Sequence, residues 1–176
     1  MSGSFTPEQL QRLYDVSRAI HATLEPAEAL KLIVREAVTL VGATSGSLAL
    51  VNPTTGLLEI EASEGLPDDA DLLSLRPNEG ITGWVAHHGE PLRIGDVSTD
   101  ERYISARAEV RSELAVPLFI EDTVRAVLNV DAESVDAFSE TDQHLLEELA
   151  RHATQVILNT WQYEQHRQRA ELLRSL

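Results

Sequence analysis

The chain holds 176 residues, with 14 Lys and Arg against 29 Asp and Glu, a formal net charge of −15. A field of that sign repels phosphate backbones and acidic lipid, which argues against nucleic-acid and membrane partners. The absence of cysteine removes disulfides, zinc–thiolate sites and thiol chemistry.

The length suits one domain with helical extensions, able to bury roughly 70% of its unfolded surface without a metal or a disulfide. Nothing resembles a signal peptide. The longest apolar-rich runs, such as Leu114 to Ile120, fall far short of the roughly 20 residues of a membrane helix. The expected location is the cytoplasm.

A first helix is expected from Thr6-Pro7-Glu8-Gln9, where Thr6 can cap, Pro7 suits the first turn and Gln9 sits as a capping-box partner. Leu10, Leu13, Ser17, Ile20 and Leu24 follow at spacings of three and four. This seam reads either as packing on the chain's own domain or as a dimer interface. Pro26 opens a second helix whose Leu30, Ile33, Val34, Ala37, Val38 and Val41 form one core-facing stripe, with Gly42 as its stop.

Two strands come next. Ser47 to Val51 is apolar enough for a central strand, and Asn52 to Gly56 has the composition of a hairpin turn. Leu58 to Ala62 alternates Leu-Glu-Ile-Glu-Ala, which predicts one buried and one wet face. Residues 64–79 read as a loop with at most a short helix near Leu72. Ile81 to His88, bracketed by glycines, is a short helix stopped by Gly89, and Leu92 to Ile94 a short strand. Asp96 to Val110 is polar and irregular, with a helical turn near Tyr103. Leu114 to Ile120 and Val124 to Asp131 form a hairpin about Glu121-Asp122-Thr123. The last helix starts near Ser139 or Thr141 and runs toward the end. From Asp142 to Leu176 it would be about 52 Å long. Leu146, Leu149, Ala153, Val156 and Ile157 give it an apolar face, which is lost after Tyr163, so its tail reads as a connector to an output domain or partner. Helices at both ends of an antiparallel sheet make the class α+β.

Chemistry-bearing patterns are few. There is no Gly-x-Ser-x-Gly elbow, phosphate loop or dinucleotide fingerprint. His144 and His152 are eight apart and could share a helical face, where they read first as two surface histidines, and His87 and His88 diverge by about 100° on a helix, with a single haem or metal ligand there as the lesser reading. No catalytic residue, metal or cofactor is expected. Residues 57–101 carry eleven acids and two arginines, after which Arg102, Arg107 and Arg111 arrive opposed only by Glu109. Those arginines read either as partners of the nearby acids or as a fork for an anionic group. Trp84, Tyr103 and Phe119 either line the same cavity or belong to the core, and core is the first reading for Trp84 and Phe119.

Gly80-Ile81-Thr82-Gly83-Trp84-Val85-Ala86, then Ser112-Glu113-Leu114-Ala115-Val116-Pro117-Leu118, then Val127-Leu128-Asn129-Val130-Asp131 occur in an order and spacing that resembles the second half of a GAF domain. The resemblance covers roughly residues 25 to 160. It implies a GAF/PAS-like central antiparallel sheet, with the terminal helices on one face and ligand-pocket loops on the other. It divides the chain into a dimerisation helix (1–24), the GAF domain (25–160) and a connector helix (161–176). It implies a sensory module that binds a small effector and signals through terminal helices as a homodimer. The alternative is a ligand-free module serving only dimerisation. Enzymatic action is not expected, because the branch that reduces free methionine sulfoxide works through cysteine, as does covalent bilin attachment. The Asn-Lys…Phe-x-x-x-Asp-Glu pattern of cyclic-nucleotide binders is matched only by Phe138 and Asp142, with Gln143 in place of Glu and Asp131-Ala132 in place of Asn-Lys. The segment that covers the pocket in the family gives the expected binding set: Trp84, Asp96, Tyr103, Arg107, Arg111 and Glu113. The expected effector carries an anionic group.

Overall fold

The computed structural model describes residues 4–22, 25–67, 74–105 and 107–176, without the side chains of 160, 161, 163 and 164. Leu24, Tyr163 and the short helix near Leu72 fall outside what is described. Among the described residues, α1 (Pro7–Ala22) and α2 (Pro26–Val41) precede β1 (Ser45–Val51), β2 (Leu58–Glu64) and β3 (Ser74–Leu75). Then come α3 (Gly80–His88), β4 (Leu92–Ile94), a 3-10 turn (Val97–Thr99), β5 (Ser112–Ile120), β6 (Thr123–Ala132) and α4 (Glu140–Arg174). The strands form one six-stranded sheet in the order β3-β2-β1-β6-β5-β4, with every pairing antiparallel.

Local chemistry sets the element boundaries. Thr6 and Gln9 form the expected capping box, Gln9 N–H donating to Thr6 Oγ1 at 3.2 Å and Thr6 N–H to Gln9 Oε1 at 2.9 Å. Ser139 and Asp142 cap α4 in the same way. Gly42 ends α2 in the left-handed region at φ 66°. The β5–β6 turn puts Glu121 and Asp122 at φ 51° and 64°, the pair of positive values that matches strand twist in a two-residue hairpin. Asn52 Oδ1 accepts from Thr54 N–H and Thr55 N–H and closes the β1–β2 turn.

The sheet separates two apolar layers. On one face Leu48, Leu114, Val116, Leu118, Leu128 and Val130 pack beneath α1, α2 and α4. On the other, Ala49, Leu58, Ala115 and Val127 meet Ile81 and Val85 of α3 and Val97 and Val110 of the following segment. Period-two alternation along each strand produces this division. Two strands break it, β6 at Arg125, where the β5–β6 register shifts and Val124 and Ala126 face opposite layers, and β2. The β1–β2 register shifts between Leu48 and Ala49, so Ala49 pairs Ile60 while Leu48 pairs Ala62. The extra residue, Glu61, is a bulge that turns Ala62 into the helix-side core, away from Leu58. The strict alternation expected for Leu58 to Ala62 is corrected accordingly.

The first helix packs on its own domain. Leu13, Val16 and Ile20 are buried among α2 and α4 of the same chain, Val16 taking the core position that the spacing assigned to Ser17. Leu10 is 53% exposed. Ser17 is half-buried, with its Oγ 3.2 Å from His152 Nδ1 of α4. Helix α4 spans 35 residues. Among its described side chains the last buried one is Ile157, and residues 165–176 are exposed. Phe119, read as core, is instead 45% exposed, because the β5–β6 register shifts beside it at the hairpin end. Among the described residues no helix is long and apolar enough to cross a membrane.

Candidate functional site

The polar exceptions to the two apolar layers gather in one place. Under α3 and the segment after the 3-10 turn, a cavity lies on the sheet with room of about 60 Å³ for the centres of water-sized molecules. Its walls are apolar: Ala49, Leu58 and Ile60 from the sheet, Ile81 from α3, Ile104 and Val110 from the segment above. Its polar lining includes Ser47 of β1, Glu113 of β5, and Asn129 and Asp131 of β6. Alternation puts Glu113 on the face opposite Leu114, and Asn129 and Asp131 opposite Leu128 and Val130. Antiparallel pairing then sets Glu113 directly across from Asp131, and Asn129 across from Ser47. The roof is held close. A Cβ on Gly83 would stand 2.7 Å from the Arg76 carbonyl oxygen, so only glycine lets α3 lie this tightly against residues 76–78.

The two acids have different states. Asp131 is 6% exposed, and its Oδ1 is engaged twice: Ser45 Oγ donates to it at 2.5 Å, and Arg107 Nη2 donates to the same oxygen at 3.0 Å. Arg107 also donates from Nη1 to Glu133 at 2.9 Å. Glu113 is 5% exposed and has no cation of its own. Burial raises its pKa to about 8, the Asp131 charge adds to the rise, and a hydrogen bond with Asn129 opposes it. Glu113 therefore carries a proton at neutral pH. Asn129 Oδ1 is buried without a hydrogen-bond partner. Tyr103 closes the cavity from above, and burial, first among its causes, raises its phenol pKa.

The six expected residues separate into two groups. Tyr103 and Glu113 line the cavity, and Arg107 stands one bond behind it through Asp131. Trp84, Asp96 and Arg111 are not part of the lining. Trp84 is half-buried on the outside of α3, stacked on His88 with ring centroids 4.0 Å apart and lying 5.0 Å beneath the Arg102 guanidinium. Asp96 caps the 3-10 turn, its Oδ1 accepting from Ser98 N–H and Oγ, and those bonds hold its carboxyl below the usual range. Arg111 is exposed, while its backbone N–H and carbonyl tie Ala132 to Val97. Arg102 is chelated by Asp100 at 2.9 and 2.5 Å. The arginines proposed for an anion are thus paired with acids or exposed, and the cavity itself offers acceptors and acids.

Sequence reasoning missed Asn129, Asp131, Ser45 and Ser47. The signal was present in part: Asn129 and Asp131 stand two apart in the otherwise apolar run from Ala126 to Ala132, as Ser45 and Ser47 do at the start of β1. Phe138 and Asp142, the partial match to the cyclic-nucleotide pattern, serve as a core side chain and a helix cap. Among the described residues no group of three or more His, Asp or Glu is placed to hold a metal ion.

The GAF domain family model matches residues 23–158. The Nif-specific regulatory protein of Azotobacter vinelandii is 27% identical over 117 residues, 62% of this chain. The match spans only 22% of that relative's length. The GAF domain of an Acinetobacter phosphoenolpyruvate-protein phosphotransferase superposes with a TM-score of 0.81 at 23% identity, covering 88% of this chain and 95% of that one. The free methionine-R-sulfoxide reductase of Neisseria meningitidis, solved in complex with its substrate, gives 0.79 at 21% identity, covering 93% and 99%. At those identities the structural likeness speaks for the fold alone. With the sequence model spanning most of the chain and the sheet, helices and pocket roof arranged as described, the chain belongs to the GAF domain family.

Proposed function

We propose that this GAF domain is a sensory module that binds a small effector in the cavity over Glu113, Asn129 and Asp131 and relays its presence to α4. One observation carries the reading. An apolar enclosure has at its floor two carboxyl groups and an amide carbonyl without a partner, and a buried acceptor left unsatisfied costs about 1–3 kcal/mol. A ligand group that donates hydrogen bonds removes that cost. A small molecule with a donor-bearing head suits that lining, since Arg107, the arginine nearest the cavity, is already paired with Asp131 and Glu133. The relative that acts as a regulator supports the sensory role. The reductases among the structural neighbours share the fold, but the cysteine chemistry of that branch has no residue in this chain, so we read the module as a binder and not an enzyme.

The relay follows from strand geometry. Leu114 and Val130 alternate with Glu113 and Asp131 and belong to the core beneath α4. A shift of the acids on one face moves those side chains on the other. Homodimerisation remains part of the proposal, with a changed surface. Leu13, Ile20, Ala153 and Ile157 are consumed by the domain's own core, which leaves Leu10 and Tyr14 for a partner.

A thermal-shift and NMR screen with small ammonium, neutral amide and carboxylate compounds tests the reading. Donor-bearing compounds should raise the melting temperature and shift the Asn129 side-chain amide. If no class does so, the ligand-free dimerisation module, favoured by the small volume of the cavity, takes its place.

A further inference from the structure

We propose that the cavity exchanges a proton for its ligand: a primary ammonium head enters, and the Glu113 carboxyl releases its proton to solvent. This rests on the binding site just described and adds its ligand class and its regulation. An ammonium ion buried on the sheet needs a carboxylate as counter-charge. The Asp131 charge is already answered by Arg107, whose Nη2 donates to Oδ1 together with Ser45 Oγ. Glu113 is the acid of the lining that has no cation beside it, and burial raises its pKa to about 8. Its charge is disfavoured by the burial of its carboxyl and by the acids around it.

Every neighbouring element bears on that balance. From β6, Asp131 stands directly across and Asn129 donates a hydrogen bond. From the segment above come Asp100, which adds to the rise, and Tyr103, whose phenol senses the Glu113 charge. Arg107 answers the Asp131 charge from behind. On β4 the residue opposite Glu113 is the apolar Ile94, and the lining residues of α3 and β1 are uncharged. No cation faces Glu113 from any of these elements, so the ligand itself must supply it.

The exchange balances. One positive charge enters and one proton leaves, so the buried site keeps its net charge. The new pair is a charge-assisted N–H···O contact, with the unpartnered Asn129 Oδ1 accepting a second ammonium proton. Because the proton must leave, binding is favoured by rising pH up to about 8, where Glu113 is already ionised. A neutral donor of the same size binds without this dependence.

The experiment uses the full chain and methylammonium chloride, with tetramethylammonium, which has no N–H, as the ionic-strength control. Titrations at pH 6, 7 and 8 follow the Asn129 side-chain amide by NMR, and a pH-stat at pH 7 counts protons. We expect close to one proton released per methylammonium bound, and affinity rising about tenfold per pH unit below 7 before levelling above 8. Glu113→Gln should weaken binding and abolish both the proton release and the pH dependence. Separately, the Glu113 Cδ resonance of the unliganded protein should titrate near 8. Titration of that carbon in the ordinary carboxylate range overturns the proposal without any ligand. Failure of methylammonium to bind at pH 8, or binding with no proton released, also overturns it. Acetamide shifting the Asn129 amide, with methylammonium inert, sinks the exchange and leaves the sensor reading standing.

Discussion

Replacing Glu113 by Gln should stabilise this protein at neutral pH, against the usual outcome of changing a buried polar residue. Glutamine keeps the shape and a side-chain oxygen that can accept from Asn129, but it does not ionise. In the wild type the unfolded side chain, near its reference value of 4.5, is ionised at pH 7, whereas the folded one, raised to about 8, is protonated. Folding at pH 7 therefore takes up a proton. The native state binds more protons than the unfolded state between about 4.5 and 8, so stability falls with rising pH across that window and is flat above it. Each pH unit costs about 1.4 kcal/mol, so the penalty at pH 7 is roughly 3 kcal/mol at most. The variant escapes it. Urea unfolding of both proteins at pH 5, 6, 7 and 8 checks this, with equal m-values confirming that the same surface is exposed. The stability gap should be smallest at pH 5, where the penalty is still below about 1 kcal/mol, and widen toward pH 8 in favour of Gln. A gap independent of pH, or a variant weaker at pH 7 than at pH 5, would refute the claim that Glu113 is held neutral.

Arg107→Met should destabilise the fold by about 3 kcal/mol in chemical denaturation, because it leaves Asp131 buried without its cation. It should also push the Glu113 titration, read from its carboxyl carbon, further upward. Leu10→Asp with Tyr14→Asp, at positions 53% and 59% exposed, should convert a dimer to a monomer in sedimentation equilibrium at unchanged melting temperature. Leu13→Asp should instead unfold the domain, since its side chain is buried among α1, α2 and α4. Deletion of residues 165–176, all exposed, should move stability by no more than about 0.5 kcal/mol. A large fall in melting temperature would place the tail in the fold. Ser139→Ala should cost about 1 kcal/mol, read by urea unfolding, through loss of the α4 cap.

The helices and hairpins were legible in the sequence because their signals are local. Thr6 with Gln9, Gly42, Gly89 and the Glu121-Asp122 turn each act within four residues, and each lies where the chain bends or caps. The bulge at Glu61 was not legible, since Leu-Glu-Ile-Glu-Ala is a regular alternation until pairing with Leu48 and Ala49 forces the extra residue out. The site was legible only in part. Glu113 and Tyr103 sit beside recognisable motifs, but Asn129 and Asp131 acquire meaning only when β6 is laid against β5 and β1, across long stretches of chain. Arg107 and Arg111 look equivalent as residue types. Pairing to Asp131 draws one inward, and backbone bonds at the sheet edge leave the side chain of the other exposed.

The same alternation that hid the site places it back to back with the core beneath α4. Each apolar residue of β5 and β6 that supports α4 is adjacent in sequence to a residue facing the cavity side, as Leu114 is to Glu113 and Val130 is to Asp131. Packed interiors deform in discrete steps rather than continuously, so a strand that shifts to seat a ligand must reseat its core residues as a unit. Leu146, Leu149 and Ala153 of α4 belong to that core cluster, and the helix then runs on past the domain as an exposed lever. In the proposed relay, the charge of Glu113 is the quantity that a bound effector would change, and Leu114 beside it is the core residue that would pass the change to α4.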